Sequence, residues 1–435
     1  METARRALYA QRSAVDVTGH NLANATTPGY RRQRAEMVSI PAATGTLSPG
    51  AGVRIATIER MRDAFVDTQI RRTLADLGRW EARGQALEEV QEIFKEPSDI
   101  GLSAMMDHFW ISWHELSASA TDPGRRNGVQ QEGVSLAAAF NLASSQLNDM
   151  KAEVDSNIIS ILDRVKVTAQ NIAAINTEIV RGNVAGENVS DLQDHRDLLI
   201  DQLAADIDIA VVEVDDGTVN ISVGGRMLVS AGVGFEVDVN SPFTGGRIKG
   251  LLEASGELIP EYMRQLDELA VSVMNEVNHI HENGRDLHGN LGGKYFEGSG
   301  ALDMRVADGI MADPSRIAAS DAVNAPGNGK NALAIAQLKD ALTMTGGSAT
   351  FRDFYGGVAT GLGLRTQEAM RSQDVYEGVL EQQEARRDSI SGVSIDEEIM
   401  QLIKYQAAYS AAARLVNVID EMLDRLINQT GLVGR

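Results

Sequence analysis

Apolar residues recur every three or four positions over three long stretches of the chain, which is the period of a helix that buries one face. Two of these stretches are interior, at residues 147–179 and 263–280. The third closes the chain, and we call it the C-terminal seam. Its positions are Leu402, Tyr405, Tyr409, Ala412, Val416, Ile419, Leu423 and Leu426. Because the repeat is sustained over several heptads, it predicts coiled-coil-like helices.

The first segment of the chain predicts another helix, which extends to about Ala25. Leu8, Val15 and Leu22 recur every seven residues among many alanines. Pro28-Gly29 follows, and this pair supplies the fixed and the positive φ angles of a type II turn. A polar, extended stretch then continues to about Val53. Further along, Ser190–Gln193 and Ser394–Glu397 match the capping-box pattern that begins a helix.

The apolar period changes to two in the middle of the chain, which is the pattern of a strand with one buried face. Asp216-Gly217 lies between two such runs and is a hairpin signal. The alternating positions are Ile207, Ile209, Val211, Val219, Ile221, Val223, Phe235, Val237 and Val239. We therefore predict a small antiparallel β unit at residues 206–246, inserted between helices.

Helices at both ends enclose this β-containing middle. The order predicts a mainly α fold with a small β insertion, elongated and nested. Its N- and C-terminal helices would pair as a coiled-coil-like rod, and the β unit would lie in a head. The predicted domains are 1–35 with 395–435 (terminal helices), 36–205 with 247–285 and 350–394 (long-helix bundle), 206–246 (β insertion) and 286–349 (a Gly-, Asn- and Ala-rich loop or minor insertion).

Composition excludes several classes of function. The 435 residues carry a net charge of −21, so the basic footprint of a nucleic-acid-binding protein is missing. With no cysteine, disulfides, thiolate metal sites and cysteine nucleophiles are excluded. No apolar run approaches the roughly 20 residues of a membrane span. The first residues lack the apolar core of a cleaved secretory signal.

Polar clusters give no catalytic constellation. His279 and His281 are two apart on a helix and do not share a face, so with His288 they predict exposed helix-end histidines and no metal site. The aspartates at 191, 194, 197 and 201 share a helix face and predict a solvated surface. Gly356-Gly357 and Gly361-x-Gly363 precede a predicted helix but match no phosphate-binding fingerprint. We predict a chain without enzyme activity, cofactor or metal.

Both ends of the chain resemble the signatures shared by flagellar rod, hook and hook-associated proteins. At the N-terminus these are residues 7–11 (ALYAQ) and 15–30 (VDVTGHNLANATTPGY). At the C-terminus they are GVSIDEE from Gly392, YQAAY from Tyr405, AAR from Ala412 and DEML from Asp420. The resemblance marks Asn21, Asn24, Pro28, Gly29 and Tyr30 as family-motif residues.

Interior blocks narrow the resemblance to the hook-associated protein 1 family. These are residues 191–197 (DLQDHRD), 250–253 (GLLE) and 286–290 (DLHGN). Such family members usually have about ten more residues before the ALYAQ block, so we expect the natural start to lie upstream of Met1. The middle is shorter than in long relatives, and we expect an outermost head domain to be absent.

The resemblance implies a structural junction between hook and filament, exported through the flagellar type III apparatus to the outside of the cell. Its implied partners are further copies of itself, the hook protein, a second hook-associated protein and an export chaperone at the C-terminal helix. Neither nucleic acid nor membrane insertion is expected. The residues expected to pack between subunits are Leu8, Val15, Leu22 and the C-terminal seam. A rod or hook protein is the nearest alternative, and a surface adhesin or an enzyme with activity in the head is a more distant one.

Overall fold

The computed structural model describes residues 2–41, 50–96, 98 and 101–428, and most of them are helical. In chain order the helices are α1 (Glu2–Ala23), α2 (Ala64–Phe94), α3 (Leu102–Ala118), α4 (Pro123–Ala185), α5 (Ser190–Asp206), α6 (Gly246–Glu253), α7 (Ile259–Asn283), α8 (Asp308–Ala312), α9 (Lys330–Ala336), α10 (Phe351–Ser391) and α11 (Ile395–Asn428). The predicted mainly α class is confirmed.

The strands are short and form three separate sheets. They are β1 (Gln33–Ser39), β2 (Val53–Arg60), β3 (Ala210–Glu213), β4 (Val219–Val223), β5 (Arg226–Ser230), β6 (Val233–Gly234), β7 (Phe296–Glu297) and β8 (Arg305–Val306). β1 pairs with β2, β3 to β6 form a four-stranded antiparallel sheet in sequence order, and β7 pairs with β8.

The chain divides into two compact units. Met1–Asp76, Leu162–Gly246 and Val375–Arg435 form the first, which we call the terminal unit. Leu77–Ile161 and Arg247–Asp374 form the second, which we call the middle unit. The long helices α2, α4 and α10 each contribute residues to both units.

The two terminal helices pair in the terminal unit, as the sequence predicts. They run antiparallel. Asn21 near the end of α1 contacts Glu398 near the start of α11, and Tyr405, two turns later on α11, packs against the cluster that includes Ala14 and Val17, which lie earlier on α1. The fully buried stripe of α1 is made of small residues such as Ala4, Ala10 and Ala14. Small side chains allow the helices to approach closely along this stripe.

A β-hairpin covers the terminal helix pair. β1 and β2 are antiparallel, with Gln33 opposite Arg60 and Ser39 opposite Val53. Ala35 on β1 is buried against Ala14 and Val17 of α1. The sequence indicated only an extended stretch here, and residues 42–49, where the connection lies, are outside the described residues.

The predicted β unit at 206–246 is present as the β3 to β6 sheet. Val219, Ile221 and Val223 on β4 are buried, and Gly217 adopts φ +88° in the predicted hairpin turn. The strand predicted at Phe235, Val237 and Val239 is wrong, because β6 ends at Gly234. Asp238 accepts the backbone N–H of Asn240, and this local turn replaces the strand ladder.

The middle unit is built around an aromatic core. Phe109 and Trp113 of α3 are fully buried with Tyr295 and Phe296, and Trp110 stacks on Phe351 at 5.8 Å between ring centroids. The segment after α7 supplies Tyr295 and Phe296 and includes the short elements β7, β8, α8 and α9.

The start of α10 differs from the prediction. The helix begins at Phe351, so the glycines at 356, 357, 361 and 363 lie inside it and do not precede it. Thr350 and Asp353 cap each other reciprocally, since the Asp353 N–H bonds Thr350 Oγ1 and the Thr350 N–H bonds the Asp353 carboxylate. This cap and the buried side chains of Phe351 and Tyr355 offset the roughly 1 kcal/mol that each glycine costs a helix.

The two predicted capping boxes have different outcomes. Ser394 Oγ accepts the N–H of Glu397 at 3.4 Å, so α11 begins as predicted, although the Glu397 carboxylate bonds Arg32 and not the Ser394 N–H. The capping box predicted at Ser190 is wrong. Ser190 lies within α5, and Asn188 accepts its N–H and its hydroxyl.

Candidate assembly site in the terminal unit

The C-terminal seam faces α1 over most of its length. Leu402, Tyr405, Ala412, Val416 and Ile419 are half-buried. Of the other predicted positions, Tyr409 and Leu423 are about 40% exposed and Leu426 is 60% exposed. Leu8, Val15 and Leu22 on α1 are half-buried beside the stripe of small residues. The seam therefore contributes to packing within the chain, and its last positions are uncovered.

A second apolar face of α11 was not predicted, and we call it the outer stripe. It consists of Met400, Ile403, Leu415, Val418 and Met422, which are 44–62% exposed. At 3.6 residues per turn it lies roughly 140° around the helix from the seam. Apolar side chains that line up on a solvent-facing side are typical of a surface that contacts a partner.

The last described turns of α11 are exposed. Among the described residues, every one from Asp420 to Asn428 is exposed, and we call this segment the α11 tip.

A buried polar cluster ties the terminal helices to the hairpin, and we call Asn21, Tyr30, Arg32, Gln33 and Glu398 the polar node. The Asn21 side-chain amide donates to the Gln33 carbonyl at 2.8 Å and to Glu398 at 3.0 Å. Its oxygen accepts the Gln33 N–H at 2.9 Å and the Tyr30 hydroxyl at 2.7 Å. Asn21 is therefore fully hydrogen-bonded although it is buried.

Glu398 is the charged centre of the polar node. Its side chain is buried, and Arg32 Nε donates to it at 2.7 Å. The backbone N–H of Arg32 donates to the Ser391 carbonyl at the end of α10. Burial, with the nearby carboxylate of Asp191 adding to it, raises the pKa of Tyr30, so this hydroxyl keeps the proton that it donates to Asn21.

The aspartates of α5 do not form a solvated face, so that prediction is wrong for Asp194 and Asp197, which are buried. Asp194 accepts the Arg31 N–H at 3.0 Å and the Arg60 side chain at 2.8 Å. Asp197 accepts Arg60 at 2.7 Å. The arginines come from the hairpin region, so sequence spacing within α5 could not reveal them.

Burial and the neighbouring guanidinium groups act in opposite directions on the pKa values of the two aspartates. Burial opposes ionisation of Asp197, but Arg60, Arg62 and Arg196 outweigh it and lower the pKa of Asp197 to about 2. Burial raises the pKa of Asp194, with Arg60 acting against it. The cluster links α5 to the chain that leaves α1, and it has the chemistry of a structural ion-pair network.

The remaining motif residues form the turn after α1. Asn24 donates to the His20 carbonyl at 3.0 Å and caps the end of the helix. The Tyr30 N–H bonds the Thr27 carbonyl at 3.2 Å, and Gly29 has φ +79°, so the predicted turn at Pro28-Gly29 is present. A Cβ atom on Gly29 would lie 3.1 Å from Leu198 Cβ, which gives this glycine a steric reason as well.

His281 is fully buried, so its predicted exposure is wrong. Nδ1 donates to the Gly293 carbonyl at 2.7 Å, and Nε2 accepts the Ala318 N–H at 2.9 Å. Burial lowers the pKa of His281 to about 4, so the ring is neutral near neutral pH. Among residues 2–41, 50–96, 98 and 101–428, no group of three or more His, Asp or Glu side chains could hold a metal ion.

Three known protein families match this chain, one in its interior and one at each end. The family described as Flagellar hook-associated protein FlgK helical domain matches residues 87–242 and 231–296. The Flagella basal body rod protein family matches residues 1–31, and the Flagellar basal body rod FlgEFG protein C-terminal family matches residues 386–429. The two matches at the ends cover α1 and α11.

Curated relatives extend over the whole chain. Flagellar hook-associated protein 1 of Bacillus subtilis (strain 168) is 29% identical, covering 100% of this chain and 99% of the relative. The protein of that name from Escherichia coli (strain K12) is 22% identical, covering 98% of this chain and 99% of the relative.

A solved structure has the same fold. It is the flagellar hook junction protein FlgK from Burkholderia pseudomallei, which matches with a TM-score of 0.67 at 14% identity, over 74% of this chain and 100% of that chain. Helical ends that match flagellar rod families define this chain as a flagellar axial protein. Within that class, it belongs to the flagellar hook-associated protein 1 family.

Proposed function

We propose that this chain is a structural subunit at the junction between the hook and the filament of the bacterial flagellum, and that it assembles through its terminal helices. The family supports the place in the flagellum. The outer stripe of α11 carries the argument for assembly, because its apolar side chains remain 44–62% exposed against the described part of the terminal unit.

The energetics of assembly follow from that exposure. Fully burying a leucine- or methionine-sized side chain contributes roughly 1.5–3 kcal/mol. The five side chains of the outer stripe could therefore supply several kcal/mol when a neighbouring subunit covers them. The seam and the polar node would keep α11 in place against α1, so the outer stripe would be presented on a preformed helix.

The direct test uses the source bacterium with its own copy of this gene deleted. We expect the deletion strain to complete hooks without filaments, and the wild-type gene to restore filaments in electron micrographs. Ile403→Asp combined with Val418→Asp should leave hooks bare, because two charged groups would lie in the subunit contact. Filaments on the hooks of the deletion strain would contradict the proposed function.

Matched variants separate assembly from folding. Leu364 and Val375 on α10 are 63% and 57% exposed, so Leu364→Asp with Val375→Asp places the same charges on another exposed helix. This control should restore filaments. Deletion of residues 395–435 should leave the middle unit folded, because that unit contains none of them, and the truncated protein should fail to join the flagellum.

The finer partners follow from the same role. The chain would contact further copies of itself, the hook protein and a second hook-associated protein, and an export chaperone would bind the C-terminal helix before secretion. It would leave the cell through the flagellar export apparatus. In the part of the chain that the structure describes, no helix is long and apolar enough to cross a membrane. We propose no enzymatic activity, no cofactor and no nucleic-acid partner.

A further inference from the structure

A cavity of about 740 Å³ lies in the terminal unit between β2, the start of α5 and the end of β3. Six consecutive residues of β2, Ile55–Arg60, line one side of it, and they span roughly 20 Å at about 3.3 Å per residue. Glu213 of β3 and the segment 186–190 before α5 line other sides. Most of the lining is polar, so the cavity suits a peptide backbone better than an apolar ligand.

The outer edge of β2, which faces away from β1, is open. The Met61 N–H donates to the Arg32 carbonyl, and hydrogen-bonded pairs alternate along an antiparallel ladder. Every second residue of β2 therefore bonds β1, and Ile58 and Arg60 are residues that direct their N–H and C=O groups away from it. In the part of the chain that the structure describes, nothing hydrogen-bonds these outward groups.

The opposite edge of the same hairpin is closed. Gln33 on β1 lies across from Arg60, and its outward N–H and C=O groups both bond the side-chain amide of Asn21. Folded proteins usually cover the edges of their sheets, because unpaired backbone groups bind further strands. The cover that Asn21 gives to β1 has no counterpart on β2 among the described residues.

A second open edge borders the same cavity. β3 is the outermost strand of its sheet. The Val214 N–H donates to the Thr218 carbonyl, so by the same alternation Glu213 directs its backbone groups away from β4. The cavity thus adjoins unpaired backbone groups of two strands. An added strand is a ligand whose own N–H and C=O groups match them.

The charge in this cavity that is free to pair with a ligand is negative. Each arginine of the lining already pairs with at least one carboxylate of the chain, and these are Arg60, Arg62 and Arg196. Glu59 and Glu187 also line the cavity, and both are exposed. Within the described residues neither of these two carboxylates forms an ion pair. Two unpaired carboxylates favour a partner with a basic side chain.

We propose that an extended segment of a different flagellar protein, carrying a lysine or arginine, enters this cavity and adds to the outer edge of β2 as a third strand. Its backbone would pair with Ile58 and Arg60, and its basic side chain would lie beside Glu59 or Glu187. A second copy of this chain fits less well, because it brings the same net charge of −21. The contact rests on the proposed function and specifies how a neighbouring protein is held at the hairpin.

Residue-resolved hydrogen exchange tests the added strand directly. In the isolated protein, the N–H groups of Ile58 and Arg60 should exchange at least about tenfold faster than those of Thr57 and Glu59, which bond β1. In isolated hooks that carry filaments, exchange at Ile58 and Arg60 should slow by about tenfold or more. Gln33, whose N–H is already bonded within the chain, should change little.

Two results would overturn the added strand while leaving the proposed function intact. One is unchanged exchange at Ile58 and Arg60 in hooks that carry filaments. The other comes from photo-cross-linking with p-benzoylphenylalanine in place of Thr57, which should link this chain to a basic segment of a different protein. A product of two copies of this chain, at twice 46.8 kDa, or no product at all, would overturn the choice of partner. If the wild-type gene itself fails to restore filaments, the proposed function fails instead.

Proline substitution separates the open edge from side-chain packing. Ile58→Pro removes the outward N–H, whereas the matched Ile58→Ala loses a similar side chain and keeps that N–H. The proline variant should give at least about tenfold fewer filaments per cell than the alanine variant. Equal numbers of filaments would contradict the added strand. Hydrogen exchange of α1 in both isolated variants checks that the hairpin stays folded, and if the proline unfolds it, charge reversal decides.

Charge reversal leaves the backbone of β2 intact. Glu59→Lys with Glu187→Lys should reduce the cross-linking yield at position 57 about three- to tenfold, the range expected for losing two exposed ion pairs. Glu377→Lys with Glu381→Lys reverses two exposed carboxylates on α10 and is the matched control. The control should stay within about twofold of the unreversed protein. Equal yields from the two double variants would refute a basic partner.

Discussion

Removal of the Glu398 side chain is the sharpest test of how the terminal helices are held together. Glu398→Ala deletes the acceptor for Arg32 Nε at 2.7 Å and for the Asn21 amide at 3.0 Å. Asn21 is 1% exposed, so water cannot readily replace the lost partner of its N–H group. Arg32 is 25% exposed and keeps its bond to Glu397.

The expected cost follows from these two donors. An unpaired buried N–H costs about 1–3 kcal/mol. The ion pair with Arg32 adds about 1 kcal/mol after allowance for its partial exposure. The free energy for opening the α1–α11 pair should therefore fall by about 3 kcal/mol. Glu398→Gln keeps the shape and one acceptor and should cost about half as much.

Hydrogen exchange measured by mass spectrometry resolves this loss. A decrease of about 3 kcal/mol corresponds to faster exchange on the order of 100-fold in peptides from α1 and α11. All three tryptophans, Trp80, Trp110 and Trp113, belong to the middle unit, so the tryptophan fluorescence midpoint in urea should not change. Fluorescence thus monitors the fold of the middle unit in the same sample.

The neighbouring residue provides the control. Glu397 bonds the same Arg32 at 2.8 Å, but its side chain is 55% exposed, so Glu397→Ala should cost below about 1 kcal/mol. The argument fails if Glu397→Ala accelerates exchange as much as Glu398→Ala. It also fails if Glu398→Ala changes exchange in α11 by less than about threefold.

Three further predictions concern pH, a turn and a cap. Burial lowers the pKa of His281 from 6.5 to about 4. Between these pH values the unfolded state binds more protons than the folded state. The free energy of unfolding of the middle unit should therefore fall by about 3 kcal/mol as the pH decreases from 6.5 to 4. His281→Gln should remove this pH dependence from the urea midpoint measured by tryptophan fluorescence. An unchanged pH dependence would contradict its attribution to His281. Gly29→Ala should destabilise the terminal unit by about 2 kcal/mol more than Gly186→Ala, as measured by hydrogen exchange. Both glycines have a positive φ, but only at Gly29 would an added Cβ atom meet a neighbouring side chain. Equal losses of stability in the two variants would refute the steric argument. Thr350→Ala should lower the stability of the middle unit by about 1 kcal/mol in urea, and no loss would mean that the cap is dispensable.

Periodicity predicted the elements whose partners are close in sequence or whose pattern is long. The helices over 147–179 and 263–280 and the sheet at 206–246 follow from local spacing, because a helix or a hairpin buries its apolar face at a fixed period. The family signatures added the place in the flagellum. Pro28-Gly29 predicted the turn, since the backbone angles it requires are a property of those two residues.

Burial of individual polar groups depended on residues far away in the sequence. The spacing of His279 and His281 correctly argued against a shared helix face. It could not show that the segments at Gly293 and Ala318 close over His281. Asp194 and Asp197 looked like a solvated face for the same reason, because the arginines that bury them come from residues 31 and 60.

The C-terminal helix separates what the sequence determines from what the tertiary structure determines. The sequence by itself determined that α11 is a long amphipathic helix, because apolar residues from Leu402 to Leu426 recur every three or four positions. Only the tertiary structure decided which apolar face is covered. The antiparallel α1 and its stripe of small residues pack against the first part of the seam, and the outer stripe faces away from them with its side chains 44–62% exposed. Helical period defines the faces of a helix, but the neighbour that buries one of them is determined by how the whole chain packs.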